Sequence, residues 1–120
     1  MDFVTHGGAN IDLSVADDIT SPRVISEIEE GTYEDREMKF ARNVIQDGDR
    51  VLELGAGLGF VSTVVCGSKN PAYFAAVEAD ARLIPHIRRT HEKNGVTGVE
   101  VINAAFVADR DTLDRGHVEF

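Results

Sequence analysis

Arg50 to Thr63 reads RVLELGAGLGFVST, and the fold turns on this stretch. Val51, Leu52 and Leu54 form a short apolar run, as expected of a strand buried on both faces. The run gives way to glycines at alternate positions, Gly55, Gly57 and Gly59. A residue without Cβ lets the backbone turn sharply and come close to a ligand. Phe60 to Cys66 is apolar enough to be a helix packed back on the strand. Strand, glycine turn and helix in this order make the geometry of a nucleotide-type binding loop.

The spacing narrows the ligand. A dinucleotide loop reads G-x-G-x-x-G and seats a pyrophosphate on the helix N-terminus. Here the glycines read G-x-G-x-G, and Glu53 stands two residues before the first of them. A carboxylate at the mouth of the loop repels phosphate and suits a positively charged ligand such as an amino group or a sulfonium. This disfavours an NAD-type site. A second acid, Glu78, ends the apolar run Tyr73 to Val77, roughly 20 residues beyond the loop, where a carboxylate accepts hydrogen bonds from ribose hydroxyls.

Upstream, Ile11, Leu13 and Val15 alternate with polar residues and suggest a short strand, with Gly7 and Gly8 as a flexible lead-in and His6 solvent-exposed. Ser21-Pro22 reads as an N-cap followed by proline at the first helical position, and Gly31 as the stop. Thr32 with Asp35 resembles a capping box opening a second helix, whose apolar positions are Met38, Ala41, Val44 and Ile45. Gln46 to Asp49 is a polar turn.

Downstream, Tyr73 to Glu78 is the second strand. A turn over Asp80 to Leu83 precedes a helix starting near Pro85 and ending at Asn94-Gly95, and Val99 to Ile102 is the third strand. Arg88, Arg89, His91 and Lys93 read as a solvated face that favours the helix dipole. His86, His91 and His117 are general-base candidates by chemistry alone, each with a surface position as the simpler reading.

The chain of 120 residues has room for one domain, and its 42% hydrophobic share suffices for a core. The net charge of -9 argues against nucleic acid and anionic membranes as partners. No apolar stretch approaches the roughly 18 residues that cross a bilayer, and no signal-peptide pattern opens the chain. The lone Cys66 excludes an internal disulfide and a cysteine-based metal site within one chain, reads as a small buried hydrophobe, and fits a reducing cytoplasm. No metal site is expected.

ELGAGLG followed by VEAD resembles the first two motifs of the S-adenosylmethionine-dependent methyltransferases. The wider pattern GTYEDRE, VLELGAGLGFVST, VEADARLIPHIRRTHEKNG and VEVINAAF, roughly Ile28 to Phe106, is similar to the FkbM-type branch. The resemblance implies a Rossmann-like methyltransferase fold, α/β, with a doubly wound and mostly parallel sheet. It divides the single domain into an N-terminal extension (1–20), a helical lead-in (21–46) and a cofactor-binding core (50–106). The implied cofactor is S-adenosylmethionine, contacted at Glu53, Gly55, Ala56, Gly57, Gly59, Phe60, Glu78 and Ala79. In the same family the segment after the third strand lies by the adenine, here Asn103 or Ala104, and a G-x-Y/W-E-x-x-E segment closes over the methionine end, here Tyr33 and Glu34. A further reading gives Glu34 and Glu37 the role of complementing a helix dipole.

The resemblance further implies methyl transfer to a hydroxyl of a small molecule or sugar. The family pattern continues beyond what this sequence matches, so the sheet is expected to stop after its third or fourth core strand. Asp109 to Arg115 reads as polar turn and His117 to Phe120 as the start of a strand. A bare strand edge is a liability, so the sheet is expected to be completed by a second copy in a homodimer, unless the chain is a fragment. The competing reading is a cofactor-binding remnant or interaction module without catalysis.

Overall fold

A computed structural model describes residues 3–12 and 21–107. Its heart is a parallel sheet of order β3-β4-β5, formed by Arg50–Leu54, Tyr73–Glu78 and Val99–Asn103. The register sets Leu54 beside Val77 and Glu78 beside Asn103, so the carboxyl ends of the three strands lie in one row. Among the described residues four helices accompany the sheet: α1 (Pro22–Glu30), α2 (Asp35–Val44), α3 (Phe60–Ser68) and α4 (Ile84–Lys93). A separate antiparallel hairpin, β1 (Phe3–His6) and β2 (Ala9–Asp12), opens the described chain.

Local signals place most helix ends as expected. The Ser21 hydroxyl accepts the Val24 N–H, Pro22 opens α1, and Gly31 closes it in the left-handed conformation. Asp80 caps a short 3-10 turn over Ala81–Leu83, which leads directly into α4. The capping box at Thr32 does not form. Helix α2 starts at Asp35, and its N-cap is Glu34 at φ 48°, the one non-glycine with positive φ among the described residues. A non-glycine held there is strained by about 1–3 kcal/mol, and the strain falls beside the glycine loop.

The core lies on one face of the sheet. Val51, Phe74, Ala76, Val99 and Val101 pack there with Phe60, Val61, Val64 and Val65 of α3, Ile87 of α4, Met38 and Ala41 of α2, and Ile11 of β2. On the opposite face Ala75 and Val77 of the central strand are buried, but β3 beside them is open among the described residues. Leu52 and Leu54 are 59% and 57% exposed. The expectation that β3 is buried on both faces is therefore wrong: only Val51 and Glu53 face the covered side, and an apolar run cannot report which faces are packed.

The glycines ahead of β2 are not a flexible lead-in. Gly7 and Gly8, at φ 56° and 86°, make the two-residue turn of the hairpin, where both positions need positive φ. A Cβ on Gly7 would also lie 2.8 Å from Phe60 Cζ. Nor is His6 exposed. It is buried, stacks at 4.5 Å on Phe60, and its Nε2 bonds the Tyr33 carbonyl at 2.7 Å. Of the residues read as a strand at Ile11, Leu13 and Val15, only Ile11 falls within the described part. Asp109 to Phe120 lies outside it.

The hairpin is fastened to α4 by polar side chains. The Asn94 amide bonds the Asn10 backbone in both directions at 2.8 Å, as a neighbouring strand would, and the Thr90 hydroxyl accepts the Asp12 N–H. The buried Asp12 carboxylate takes Arg89 Nε at 2.5 Å and His86 Nδ1 at 3.1 Å, and Arg89 also contacts the His86 ring. His91 is likewise buried, bonded to Ser62 Oγ at 2.7 Å. The surface reading of His86 and His91 is thus corrected, because helical spacing cannot foresee that β2 and α3 pack on this face, while Arg89 stays exposed as read and only its guanidinium reaches Asp12.

Candidate functional site

The glycine loop runs from the tip of β3 to the start of α3. Gly55 and Ala56 donate their N–H groups to the Val77 carbonyl at 2.8 and 3.0 Å, which folds the loop over the end of β4. Gly55, Gly57 and Gly59 all have positive φ, 88°, 58° and 82°. A Cβ on Gly59 would meet Ile87 Cγ2 at 3.2 Å and the Ile87 Cα at 3.5 Å. Gly59→Ala is therefore expected to cost about 1–2 kcal/mol from backbone strain alone, read as a lower denaturation midpoint; an unchanged midpoint would show that the loop has another conformation available.

Glu78 is the pivot of the site. Its Oε1 accepts the Gly57 N–H at 2.8 Å and its Oε2 the Asp80 N–H at 2.9 Å. One carboxylate thus joins the glycine loop to the turn after β4, with lone pairs left on both oxygens. Asn103 donates its amide to the Glu78 and Ala79 carbonyls at 2.9 and 3.1 Å, and Ala104 N–H also reaches the Glu78 carbonyl. Asn103 therefore fixes the row of strand ends.

Beside this row lies a cavity of about 370 Å³ lined by Leu54, Gly55, Val77, Glu78, Ala79, Ala104 and Phe106. Its walls are mostly apolar and its polar group is Glu78. Of the two adenine-contact candidates, Ala104 lines it. Sequence reasoning missed Leu54, Val77 and Phe106 as lining residues. Phe106, an aromatic after two alanines just past the third strand, is the signal in the sequence that could have found it.

On the other side of the loop, two more acids gather. Glu53 points from β3 toward the covered face, and its Oε1 is buried without a partner; Glu34 Oε2 is in the same condition. Burial pushes the Glu53 carboxyl up to about 8, with the charges of Glu34 and Glu78 adding to the shift. Burial likewise raises Glu34 to about 7, and Glu37 reinforces it. The Tyr33 hydroxyl bonds Glu34 and stands 3.1 Å from the place of a Gly57 Cβ; burial raises its pKa. Glu34 thus serves this corner rather than the dipole of α2 alone.

Two expected contacts point elsewhere. Ala56 and Phe60 are fully buried in the core, backbone included. Phe60 instead forms an aromatic cluster with His6 and Tyr33 that carries the Tyr33-Glu34 segment against α3. His86 and His91 are engaged with Asp12 and Ser62 and do not line the cavity; His117 lies outside the described residues. Burial raises the thiol of the half-buried Cys66, which fits a packing role. Among the described residues no cluster could hold a metal, and no helix is long and apolar enough to cross a membrane.

The ionisations set the pH response of the ligand-free protein. Glu34 and Glu53 hold protons more tightly folded than unfolded, so their contribution is present below their unfolded value near 4.5 and is lost as pH rises to about 8. Burial lowers His91 to about 4, so its contribution runs the other way, rising between about 4 and 6.5. Among these three described groups only the two carboxylates act above pH 6.5. The melting temperature should fall between pH 6.5 and 8, and the fall should shrink in Glu53→Gln. A rise over that interval would contradict this arrangement of the acids.

No protein-family model and no curated protein matches the sequence. Solved structures do. TYW2 of M. jannaschii, in complex with AdoMet, is similar at 19% identity and TM-score 0.65 over 85% of this chain and 42% of that one. Trm5b of Pyrococcus abyssi is similar at 22% identity and TM-score 0.61, over 85% of this chain and 27% of that one. Coclaurine N-methyltransferase bound to N-methylheliamine and SAH gives 24% identity and TM-score 0.55, over 66% and 25%. The chain thus spans less than half the length of these proteins. The α/β architecture with its parallel three-stranded sheet is the Rossmann-like methyltransferase fold.

Proposed function

We propose that this chain is the cofactor-binding part of an S-adenosylmethionine-dependent methyltransferase of the FkbM-like branch, acting on a hydroxyl of a small molecule or sugar. The observation that carries the reading is the pair of buried, unpartnered carboxylate oxygens of Glu34 and Glu53 beside a glycine loop that Glu78 anchors through the Gly57 N–H. Unmatched negative charge in a buried corner is stabilised by a cation, and the AdoMet and SAH complexes of neighbours with this fold support the choice of cation. The FkbM-like assignment rests on the position of the GTYEDRE segment, whose Tyr33 and Glu34 lie against Gly57.

When bound, the cofactor supplies an electrophilic methyl carbon on its sulfonium. The residues of this chain bind and orient. The spare lone pairs of Glu78 accept ribose hydroxyls, and the apolar groove from Leu54 to Phe106, floored by Ala79 and Ala104, takes the flat ring. Glu34 and Glu53 face the cationic end, and the backbone of Gly55 to Gly59 allows close approach. Transfer then requires chiefly that donor and acceptor be held in line.

Isothermal titration tests the reading. S-adenosylmethionine should bind with micromolar affinity and NAD should give no heat; the reverse pattern would sink it. Binding without turnover on any hydroxyl acceptor would favour the non-catalytic module instead.

A homodimer and a cytoplasmic setting belong to the same proposal. The exposed Leu52 and Leu54, on a strand with a free edge among the described residues, support pairing with a second copy. Light scattering should give twice the chain mass at micromolar concentration, and Leu52→Lys should shift it toward the monomer. A wild-type monomer would remove this part.

A further inference from the structure

Glu34, Glu53 and Glu78 differ in how their charge is met. Glu78 receives two backbone N–H groups. Glu34 has the Tyr33 hydroxyl, and Glu53 Oε1 and Glu34 Oε2 have no partner. Among the described residues none of the three forms an ion pair. Glu27 and Glu37, from α1 and α2, add negative potential from the side of Glu34. Carboxylates crowded into a poorly solvated corner without a counter-cation cannot all ionise.

We propose that Glu34 and Glu53 hold one proton between them while the site is empty or occupied by a neutral ligand, and release it to solvent when a cation enters, so that the pair selects the sulfonium cofactor over its neutral thioether product. The inference rests on the cofactor reading above. S-adenosylmethionine and S-adenosylhomocysteine share the nucleoside and the amino-acid end, and differ by one methyl group and one positive charge. Both carry the ammonium of the amino-acid end, so the sulfonium is the one additional cation, and it is this charge that stabilises both carboxylates in their ionised form. After methyl transfer the charge is gone, a proton returns from solvent to the pair, and the product is held less tightly. The raised ionisation ranges of both acids fit this exchange at neutral pH.

Calorimetry with these two compounds as probes, in buffers of different ionisation heat from pH 6.5 to 8.5, reads the proton directly. S-adenosylmethionine should release between about half a proton and one near pH 7, and S-adenosylhomocysteine clearly less. The ratio of their dissociation constants should widen by roughly tenfold across the range. Glu53→Gln should flatten that ratio while S-adenosylmethionine still binds, and Glu34→Gln serves the same purpose if the first variant does not fold. Binding of S-adenosylmethionine with no proton release and a pH-independent ratio overturns the proposal and leaves the cofactor reading standing. Absence of any S-adenosylmethionine binding overturns both.

Discussion

Asp12→Ala should destabilise the protein by about 3 kcal/mol. The carboxylate is fully buried and is the shared acceptor for Arg89 and His86. Breaking a buried pair by deleting one partner typically costs about 3–5 kcal/mol, because the other charge stays behind uncompensated. The lower figure applies here because the Arg89 side chain is 45% exposed and can turn toward water. Asp12→Asn, which keeps an acceptor of the same shape, should lose less than the alanine variant. Urea denaturation checks both, with hydrogen exchange in β1 and β2 showing whether the hairpin comes away from α4 first. A loss below about 1 kcal/mol for Asp12→Ala would mean that this cluster does not fasten the hairpin.

Glu78→Ala should weaken S-adenosylmethionine binding by roughly 10- to 100-fold, from about 1–3 kcal/mol of lost charge-assisted hydrogen bonds. Two effects combine in that figure. The variant removes the acceptor proposed for the ribose, and it unlatches Gly57 from the turn at Asp80, since both N–H groups bond this one carboxylate. Glu78→Gln separates them. An amide keeps one oxygen to accept from the backbone but loses the charge and one acceptor, so its affinity should fall between wild type and alanine. Unchanged affinity in Glu78→Ala would take this residue out of the site, whatever the fold.

The same site shows which parts of the structure are written locally. Ser21-Pro22, Gly31 and Asn94-Gly95 mark helix ends where the structure has them, because a cap satisfies its own backbone neighbours. Tyr73 to Glu78 is a strand with the bounds that its apolar run gives. Glu34 shows the limit of local reading. Thr32 and Asp35 satisfy a capping rule that the chain does not use, and Glu34 is instead held in a left-handed conformation against Gly57. The β1–β2 hairpin escaped notice because its two strands are only four residues each.

The sequence by itself determined the strand–glycine–helix unit, the order of three strands and helices around it, and the placing of Glu53 and Glu78 at neighbouring strand tips. These follow from short-range rules: apolar runs, caps, and residues that tolerate positive φ. Only the tertiary structure decided that His6, His86 and His91 are interior, that Asp12 clamps Arg89, that Leu52 and Leu54 face outward, and that Glu34 and Glu53 each bury an oxygen without a partner. The reason is distance along the chain. Asp12 meets Arg89 across 77 residues and Asn10 meets Asn94 across 84. A side chain's solvation depends on which remote element lands on it, and no periodicity within one helix or strand encodes that.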